Sequence, residues 1–208
     1  MADLVAVTLI RHGKTAYNLE KKYLGWTDAP LLNEEKARLR ALRRHYPSPD
    51  LVITSDLKRC AETAERLFPA QDIVIDPRFR ECHFGDFEGK SYRQLEDHHD
   101  YRMWLENPFQ TRPPNGEFYR DFQARLTDGW KHMVNLVNDQ YASTVTIVTH
   151  AGVIRHFLVK YSCERNSFWQ WDIGFGCGYT LFFEREQLGR DGRCISLREA
   201  PSTEKPAG

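Results

Sequence analysis

The chain has 208 residues, and its 29 Lys and Arg balance 29 Asp and Glu, so its formal net charge is zero. That balance excludes the basic excess typical of nucleic-acid-binding proteins, and no apolar run is long enough to cross a membrane, so we expect neither nucleic-acid nor membrane partners. Five cysteines at scattered spacings, with no CxxC pair, and an N-terminus without a cationic leader indicate a cytoplasmic protein with reduced thiols.

Short apolar runs predict six β-strands. Nearly continuous runs of this kind are typical of strands that are buried in a parallel sheet. In chain order the predicted strands are residues 4–10, 51–54, 73–75, 144–149, 179–183 and a weaker run at 194–197.

Helical patterns lie between these strands. The predicted helices are residues 32–45, 56–67, 118–137 and 152–161, with Ser55 as the N-cap of the second. The alternation of strands and helices predicts an α/β fold, namely a three-layer α/β/α sandwich with a mostly parallel central sheet and helices on both faces.

Residues 78–116 interrupt this alternation. The segment has no good strand pattern and is rich in His, Arg and aromatic residues. We interpret it as a small inserted lid that contains one helix near residues 91–106 and covers the carboxyl edge of the sheet. The prediction is therefore a single domain over residues 1–199 with this insertion, followed by a flexible tail at 200–208.

Two histidines follow predicted strands directly. His12 comes after the first strand and His150 after the fourth. A lone histidine is more often a structural residue with satisfied hydrogen bonds, but ligands bind at this edge of an open α/β sheet. Arg11 offers a planar guanidinium suited to phosphate oxygens, and Gly13 allows the backbone to approach a ligand closely. Together they predict a cationic cup for a phosphate group.

Further candidates lie at the same predicted edge. Arg59 falls in the first turns of the helix after the second strand, where the helix end favours anions. Asn18 could supply an amide donor. Small Ala151 and Gly152 leave the strand end after His150 open, and we count Gly152 among the candidate phosphate-binding residues.

Such a cup suits hydrolysis of a phosphate monoester. A neutral imidazole would attack phosphorus while cationic donors hold the non-bridging oxygens. A carboxylic acid would protonate the leaving oxygen, and its carboxylate would then activate water. Glu81 is the best candidate for this acid, with Asp86 and Glu88 as rivals that are more often solvent-facing loop charges.

Several motifs resemble the histidine phosphatase superfamily, in its phosphoglycerate mutase-like branch. The resemblance spans about the first 155 residues in the expected order. The matching segments are residues 11–18 (RHGKTAYN), 25–31 (GWTDAPL), 55–63 (SDLKRCAET), 81–89 (ECHFGDFEG) and 149–152 (THAG).

This resemblance implies roles for individual residues. His12 would be the phosphorylated nucleophile and Glu81 the proton donor. Arg11, Arg59 and His150 would form the phosphate pocket, with Asn18 assisting. The family needs no metal, so we expect neither a metal nor another cofactor.

The chain departs from the family pattern at two places. Lys14 stands where Glu or Gln is usual, and residues 32–40 lack the usual Gly and Gln. Residues 25–28 and 81–85 resemble the phosphoglycerate mutases, but the longer mutase insertion is absent. The stretch at 113–117 instead resembles small phosphatases, including α-ribazole phosphatases and broad-specificity enzymes.

Three alternatives stay open. The first is a cofactor-dependent phosphoglycerate mutase, and the second is a non-catalytic phosphate-binding module on the same fold. The third is a metal hydrolase, which loss of activity in chelator would favour. The expected partner is a phosphorylated small molecule, with a monomer and a homodimer equally open.

Weaker signals concern metals and aromatic residues. Cys82, His83, His98 and His99 fit no tetrahedral metal site, and His83 is more plausible as a pocket wall. Five further aromatic residues either pack in the core, which is the default, or form an apolar wall for the leaving group; they are Trp104, Phe109, Trp169, Trp171 and Phe175.

Overall fold

The computed structural model describes residues 3–190 and 192–201. Within them, six strands form one sheet in the order β3-β2-β4-β1-β5-β6. The strands are β1 (Leu4–Arg11), β2 (Leu51–Thr54), β3 (Ile73–Ile75), β4 (Thr144–Thr149), β5 (Gly178–Glu184) and β6 (Ser196–Ala200). Strands β1 to β4 are parallel to one another, β5 is antiparallel to β1, and β6 is antiparallel to β5. The predicted α/β fold with a mostly parallel central sheet is confirmed.

Helices cover the sheet and its edges. In the described part of the chain they are α1 (Ala16–Leu19), α2 (Asn33–Leu42), α3 (Lys58–Leu67), α4 (Tyr92–Leu95), α5 (His99–Glu106), α6 (Tyr119–Asp139), α7 (Ala151–Tyr161) and α8 (Arg185–Leu188). Short 3₁₀ turns lie at Arg43–His45, Pro77–Phe79, Gly85–Phe87 and Phe168–Gln170.

Apolar side chains that alternate along the strands build a core on each face of the sheet. Val7 and Leu9 of β1 pack in one cluster with residues of α6 and α7. Ile10, the next residue of β1, packs in a second cluster with residues of α2 and α3. This alternation follows from the two-residue period of a strand, and it produces the helix–sheet–helix layers that the sequence predicts.

Two predicted helix boundaries are wrong. Helix α3 begins at Lys58 with Leu57 at its N-cap, so Ser55 is not the capping residue. The predicted helix at 91–106 is two helices, α4 and α5. Arg102 stabilises the turn between them, because its Nε donates to the carbonyl of Glu96 at 2.6 Å and its Nη2 to the carboxylate of Asp97 at 2.8 Å.

The C-terminal boundary also differs from the prediction. Ala200, assigned to the tail, is the buried last residue of β6 and pairs with Gly178. The remainder of the predicted tail, residues 202–208, lies outside the described residues.

The predicted lid segment has a small core of its own. Phe87, Leu95 and Tyr101 are buried together, and Trp104 packs against them. The hydroxyl of Tyr101 lies 2.7 Å from that of Tyr23, which joins this core to the segment after α1. Among the described residues, no helix is long and apolar enough to span a bilayer.

Candidate active site

Neighbouring strands deliver His12 and His150 to one place. Strands β1 and β4 pair in parallel, with Arg11 opposite Thr149, so the next residue of each strand leaves the same edge of the sheet. The backbone N–H of His12 donates to the carbonyl of Thr149 at 2.8 Å. The two imidazole ring centroids are 5.2 Å apart, which is close enough for both rings to contact one tetrahedral anion.

His12 is held as a neutral imidazole. Its side chain is almost fully buried, with 4% exposure. Burial, followed by the charges of Arg59 and Arg11, holds its pKa well below the usual range. Its Nδ1 lies 2.7 Å from the carbonyl oxygen of Gly13. Because a carbonyl only accepts, Nδ1 carries the proton, and the lone pair is on Nε2.

Two side chains orient the His150 ring. Arg59 donates to one ring nitrogen, and the Ser55 hydroxyl lies near the other. Nη2 of Arg59 lies 3.3 Å from Nδ1, which must therefore accept. Nε2 then carries the proton and lies 3.2 Å from the hydroxyl oxygen of Ser55. Burial and the neighbouring Arg59 hold the pKa of His150 well below its usual range. Both imidazoles are thus neutral, and the positive charge of the predicted cup comes from its guanidinium groups.

Arg59 is fully buried below the two histidines. Its Nη1 donates to the carbonyl of Thr27 at 2.9 Å, and its Nη2 donates to that of Gly25 at 2.6 Å. Its Nε is buried and has no partner among the described residues. Since a buried donor without a partner destabilises the fold, an anion at this point would be stabilising.

Arg11 has a similar arrangement. Its Nη1 donates to the carbonyl of Ile173 at 2.8 Å, and its guanidinium lies 3.7 Å from the ring centroid of Phe175. Its Nε is also buried without a partner in the described structure. Burial lowers the pKa of Arg11 to about 10, which leaves it charged at neutral pH. The pocket therefore holds two guanidinium groups with unpaired donors.

Glu81 and Gly152 contact each other directly. The N–H of Gly152, in the first turn of α7, donates to Oε2 of Glu81 at 2.9 Å. The N–H of Cys82 donates to Oε1 at 3.0 Å. A Cβ at residue 152 would overlap Oε1 of Glu81, so the carboxylate reaches this position because residue 152 is glycine. In this structure the backbone of Gly152, a candidate phosphate ligand, positions Glu81.

Asn18 is occupied in a local turn. Its side-chain oxygen accepts from the N–H and the hydroxyl of Thr15, each at 3.0 Å, in a capping box at the start of α1. Among the described residues, its side-chain hydrogen bonds run to Thr15 and do not connect it to the histidines.

Glu88, another candidate for the general acid, connects two loops through hydrogen bonds. Its Oε1 accepts from the N–H of Trp26 at 2.8 Å and of Phe84 at 3.1 Å. Its Oε2 accepts from the N–H of Thr27 at 2.6 Å. This carboxylate therefore fixes the loop whose carbonyls receive Arg59. The other rival, Asp86, accepts from the side-chain amide of Asn115 at 3.1 Å.

Phe175 and Ser55 are neighbours of the histidines that sequence patterns do not reveal. The ring centroid of Phe175 lies 6.0 Å from that of His12, and Nζ of the exposed Lys14 lies 5.8 Å from the Phe175 centroid. Ser55 contacts His150 across 95 residues of chain. No local pattern in the sequence signals either contact.

A cavity of about 390 Å³ adjoins Glu81. It lies between the lid segment and α7, and Trp104, Phe109 and Trp169 line it, whereas Trp171 is buried in the core. The complete lining is Tyr23, Glu81, Cys82, Phe84, Trp104, Leu105, Pro108, Phe109, Glu117, Tyr119, Phe122, Ala151, Gly152, Arg155, Phe168 and Trp169.

His83 lies outside this lining, and its ring centroid is 5.0 Å from that of Trp26. In the part of the chain that the structure describes, no three His, Cys, Asp or Glu residues are grouped so as to hold a metal ion.

The chain is similar to several known proteins over most of its length. The model of the histidine phosphatase superfamily (branch 1) matches residues 7–189. The adenosylcobalamin/alpha-ribazole phosphatase of Escherichia coli (strain K12) is 30% identical over 176 residues, which are 81% of this chain and 85% of that protein. The 2,3-bisphosphoglycerate-dependent phosphoglycerate mutase 2 of Gloeobacter violaceus is 26% identical over 167 residues, 76% of this chain and 75% of the mutase.

Solved structures show the same range of relatives. The alpha-ribazole phosphatase of Shigella flexneri superposes with a TM-score of 0.72 at 29% identity, covering 85% of this chain and 90% of the other. A phosphoglycerate mutase of Thermus thermophilus superposes with a TM-score of 0.65 at 28% identity, covering 93% of this chain and 98% of the other. The resemblance seen in the motifs is therefore confirmed over most of the chain.

Proposed function

The chain belongs to branch 1 of the histidine phosphatase superfamily, and we propose that it is a cytoplasmic phosphomonoesterase that hydrolyses a small phosphorylated metabolite through a phosphohistidine on His12. The family contains both phosphatases and phosphoglycerate mutases. The observation that carries the proposal is the neutral His12 imidazole, with its proton fixed on Nδ1 and two guanidinium groups beside it.

The first step transfers the phosphoryl group to His12. The lone pair of Nε2 forms a bond to phosphorus, and the bond between phosphorus and the alcohol oxygen breaks. Glu81 gives its proton to that oxygen as the alcohol leaves. Arg11, Arg59 and His150 hold the non-bridging oxygens, where charge develops in the transition state. Asn18 would assist only after its side chain turns from Thr15.

The second step releases inorganic phosphate. The Glu81 carboxylate takes a proton from water, and the water oxygen attacks phosphorus as the bond to Nε2 breaks. Glu81 is then protonated again and His12 is neutral. Every role is filled by a side chain of this protein, so the proposed mechanism uses no metal or cofactor.

The second candidate function is phosphoglycerate mutation, which the similarity to mutases supports. A mutase must return the phosphoryl group to its substrate instead of passing it to water. Incubation with 3-phosphoglycerate and 2,3-bisphosphoglycerate distinguishes the two. A mutase produces 2-phosphoglycerate without net phosphate release, whereas a phosphatase produces no 2-phosphoglycerate.

A screen of phosphorylated metabolites, scored by phosphate release, tests the proposed function directly. α-Ribazole 5′-phosphate belongs in this screen because relatives are named for that activity. When the reaction is quenched without acid, the wild-type protein should carry a base-stable phosphoryl group. The His12→Ala variant should lack it. Binding of phosphate esters with neither turnover nor phosphoprotein would instead support a non-catalytic binding module.

A further inference from the structure

The cavity beside Glu81 is placed to receive the group that leaves phosphorus. Glu81 is one of its walls, as are Ala151 and Gly152, the two residues that follow His150. In the proposed reaction the proton of Glu81 goes to the leaving oxygen, so the remainder of the alcohol extends from Glu81 into this space. Its volume of about 390 Å³ is within the range that small-molecule sites occupy.

Aromatic rings dominate the cavity walls. Half of the lining residues are Phe, Tyr or Trp. They come from several separate segments, including the lid segment, the start of α6 and the 3₁₀ turn at Phe168–Gln170. Rings prefer offset-stacked or edge-to-face contacts, so such walls select a flat aromatic group over an aliphatic one of the same size.

The charged groups of the cavity already have protein partners. Glu117 pairs with Arg125, with Oε2 and Nη2 2.8 Å apart. Arg155 donates from Nε to the carbonyl of Trp171 at 3.3 Å, and its guanidinium lies 5.8 Å from the ring centroid of Trp169. Arg155 is thus the one cation in the described lining, and aromatic rings make up half of that lining.

Two exposed rings form a pair at the side of the cavity. Phe109 of the lid segment and Trp169 are 45% and 63% exposed. Their ring centroids are 6.4 Å apart and their planes are inclined by 28°, so they are stacked across two segments that lie 60 residues apart in the chain. Contiguous exposed apolar surface marks ligand-binding grooves, whereas single exposed rings are common on protein surfaces.

From these contacts we propose that the leaving group of the substrate carries a planar aromatic ring, and that Phe109 and Trp169 determine this specificity. The inference rests on the proposed phosphatase function, because it assigns the alcohol side of the same site. It excludes phosphoglycerates as preferred substrates, since their leaving group carries no ring.

The test compares two non-hydrolysable ligands that differ only in the ring. The probes are 2-phenylethylphosphonate and 2-cyclohexylethylphosphonate, and calorimetry measures their dissociation constants. We expect the phenyl ligand to bind about 3- to 10-fold more tightly, the range that aromatic pairs supply. Equal binding, or tighter binding of the cyclohexyl ligand, would overturn the proposal.

Substitutions of the two rings test which residues produce the preference for the phenyl ligand. Trp169→Ala and Phe109→Ala should each reduce the ratio between the two ligands, and Trp169→Phe should preserve it. Ile75→Ala, at an equally exposed position on β3 (61%), is the matched control and should leave the ratio unchanged. A ratio that stays the same in Trp169→Ala and Phe109→Ala would remove these residues from the specificity site.

Turnover and neutral ligands separate this inference from the proposed function. The wild-type kcat/KM should be higher for 2-phenylethyl phosphate than for 3-phosphoglycerate, and the reverse order would contradict the proposal. The alcohols 2-phenylethanol and 2-cyclohexylethanol repeat the comparison without phosphorus. Two results together would contradict the phosphate site and support the cavity assignment. The phenyl alcohol would bind more tightly than the cyclohexyl alcohol, and each phosphonate would bind no more tightly than the corresponding alcohol.

Discussion

The proposed phosphate pocket and the aromatic cavity meet at Glu81, but they are built differently. Residues at the ends of β1 and β4 and in the first turn of α3 form the pocket. Hydrogen bonds to backbone carbonyls hold His12 and Arg59, and the side chains of Arg59 and Ser55 hold His150. Side chains of the lid segment, α6 and the Phe168–Gln170 turn form the cavity, and ring contacts hold them. The pocket thus depends on the rigid sheet, whereas the cavity depends on segments that can change without disturbing the sheet.

The largest expected effect comes from removing the nucleophile. His12→Ala should lower phosphatase kcat by at least ~1,000-fold, because no other group in the pocket can form the bond to phosphorus. It should leave the tighter binding of the phenyl ligand in the cavity unchanged. The two regions would then be shown to act independently. Phosphate release and phosphonate binding are the two measurements.

The control for this variant is His45→Ala, since His45 is exposed on the 3₁₀ turn after α2. Substantial residual turnover in His12→Ala, with a wild-type circular dichroism spectrum, would assign the nucleophile elsewhere.

Glu81→Gln acts at the boundary between the regions. The single-turnover release of 2-phenylethanol from its phosphate should fall by about 100- to 10,000-fold, because an alkoxide needs a proton to leave. Release of p-nitrophenol should fall far less, since that leaving group needs little protonation. Rapid-quench measurements of both alcohols test this, with the exposed Glu65→Gln as control. Equal losses for both substrates would reassign the acid.

Gly152→Ala displaces Glu81, which lies between the pocket and the cavity, without removing a reacting group. The added Cβ would overlap Oε1 of Glu81 and displace the carboxylate. We expect kcat/KM to fall by about 10- to 100-fold, the cost of a misplaced catalytic group. The unfolding free energy should change little, because the Glu81 side chain can rotate. Gly192→Ala adds a Cβ in ordinary van der Waals contact, with its nearest neighbour at 3.5 Å, and should keep full activity.

The smallest effect concerns the stability of the region behind the cavity. His156 lies 3.5 Å from the hydroxyl of the cavity residue Tyr119, and burial lowers its pKa to about 4. Its unfolded pKa is about 6.5, so between these values the unfolded chain binds more protons. The unfolding free energy should therefore fall as the pH drops from 6.5 toward 4, by up to roughly 3 kcal/mol.

Urea unfolding at pH 7 and pH 5 measures this contribution. The loss between the two pH values should be about 2 kcal/mol smaller in His156→Phe than in the wild type. His45→Gln should show the wild-type loss. If the unfolding free energy of His156→Phe falls between pH 7 and pH 5 as much as that of the wild type, the acid sensitivity comes from His12 and His150. Burial also lowers the pKa values of these two histidines.

Local patterns in the sequence predict the sheet well. The apolar runs match the six strands within a few residues, because burial on both faces requires continuous apolar side chains. Parallel strands share their carboxyl edge, so the positions of His12 and His150 in the chain already predict that the two rings converge. The helix boundaries at Ser55 and in the lid segment are less predictable, because side-chain hydrogen bonds decide them.

The sequence by itself determined where the strands lie along the chain, the edge at which the candidate site lies and the convergence of His12 and His150 there. Tertiary structure alone decided that both imidazoles are neutral, that Ser55 holds His150, and that Gly152 contacts Glu81. It also decided which aromatic residues face the cavity and which fill the core. The physical reason is that burial, charge and hydrogen-bond partners come from residues far apart in the chain, whereas periodicity and motifs report only on neighbours.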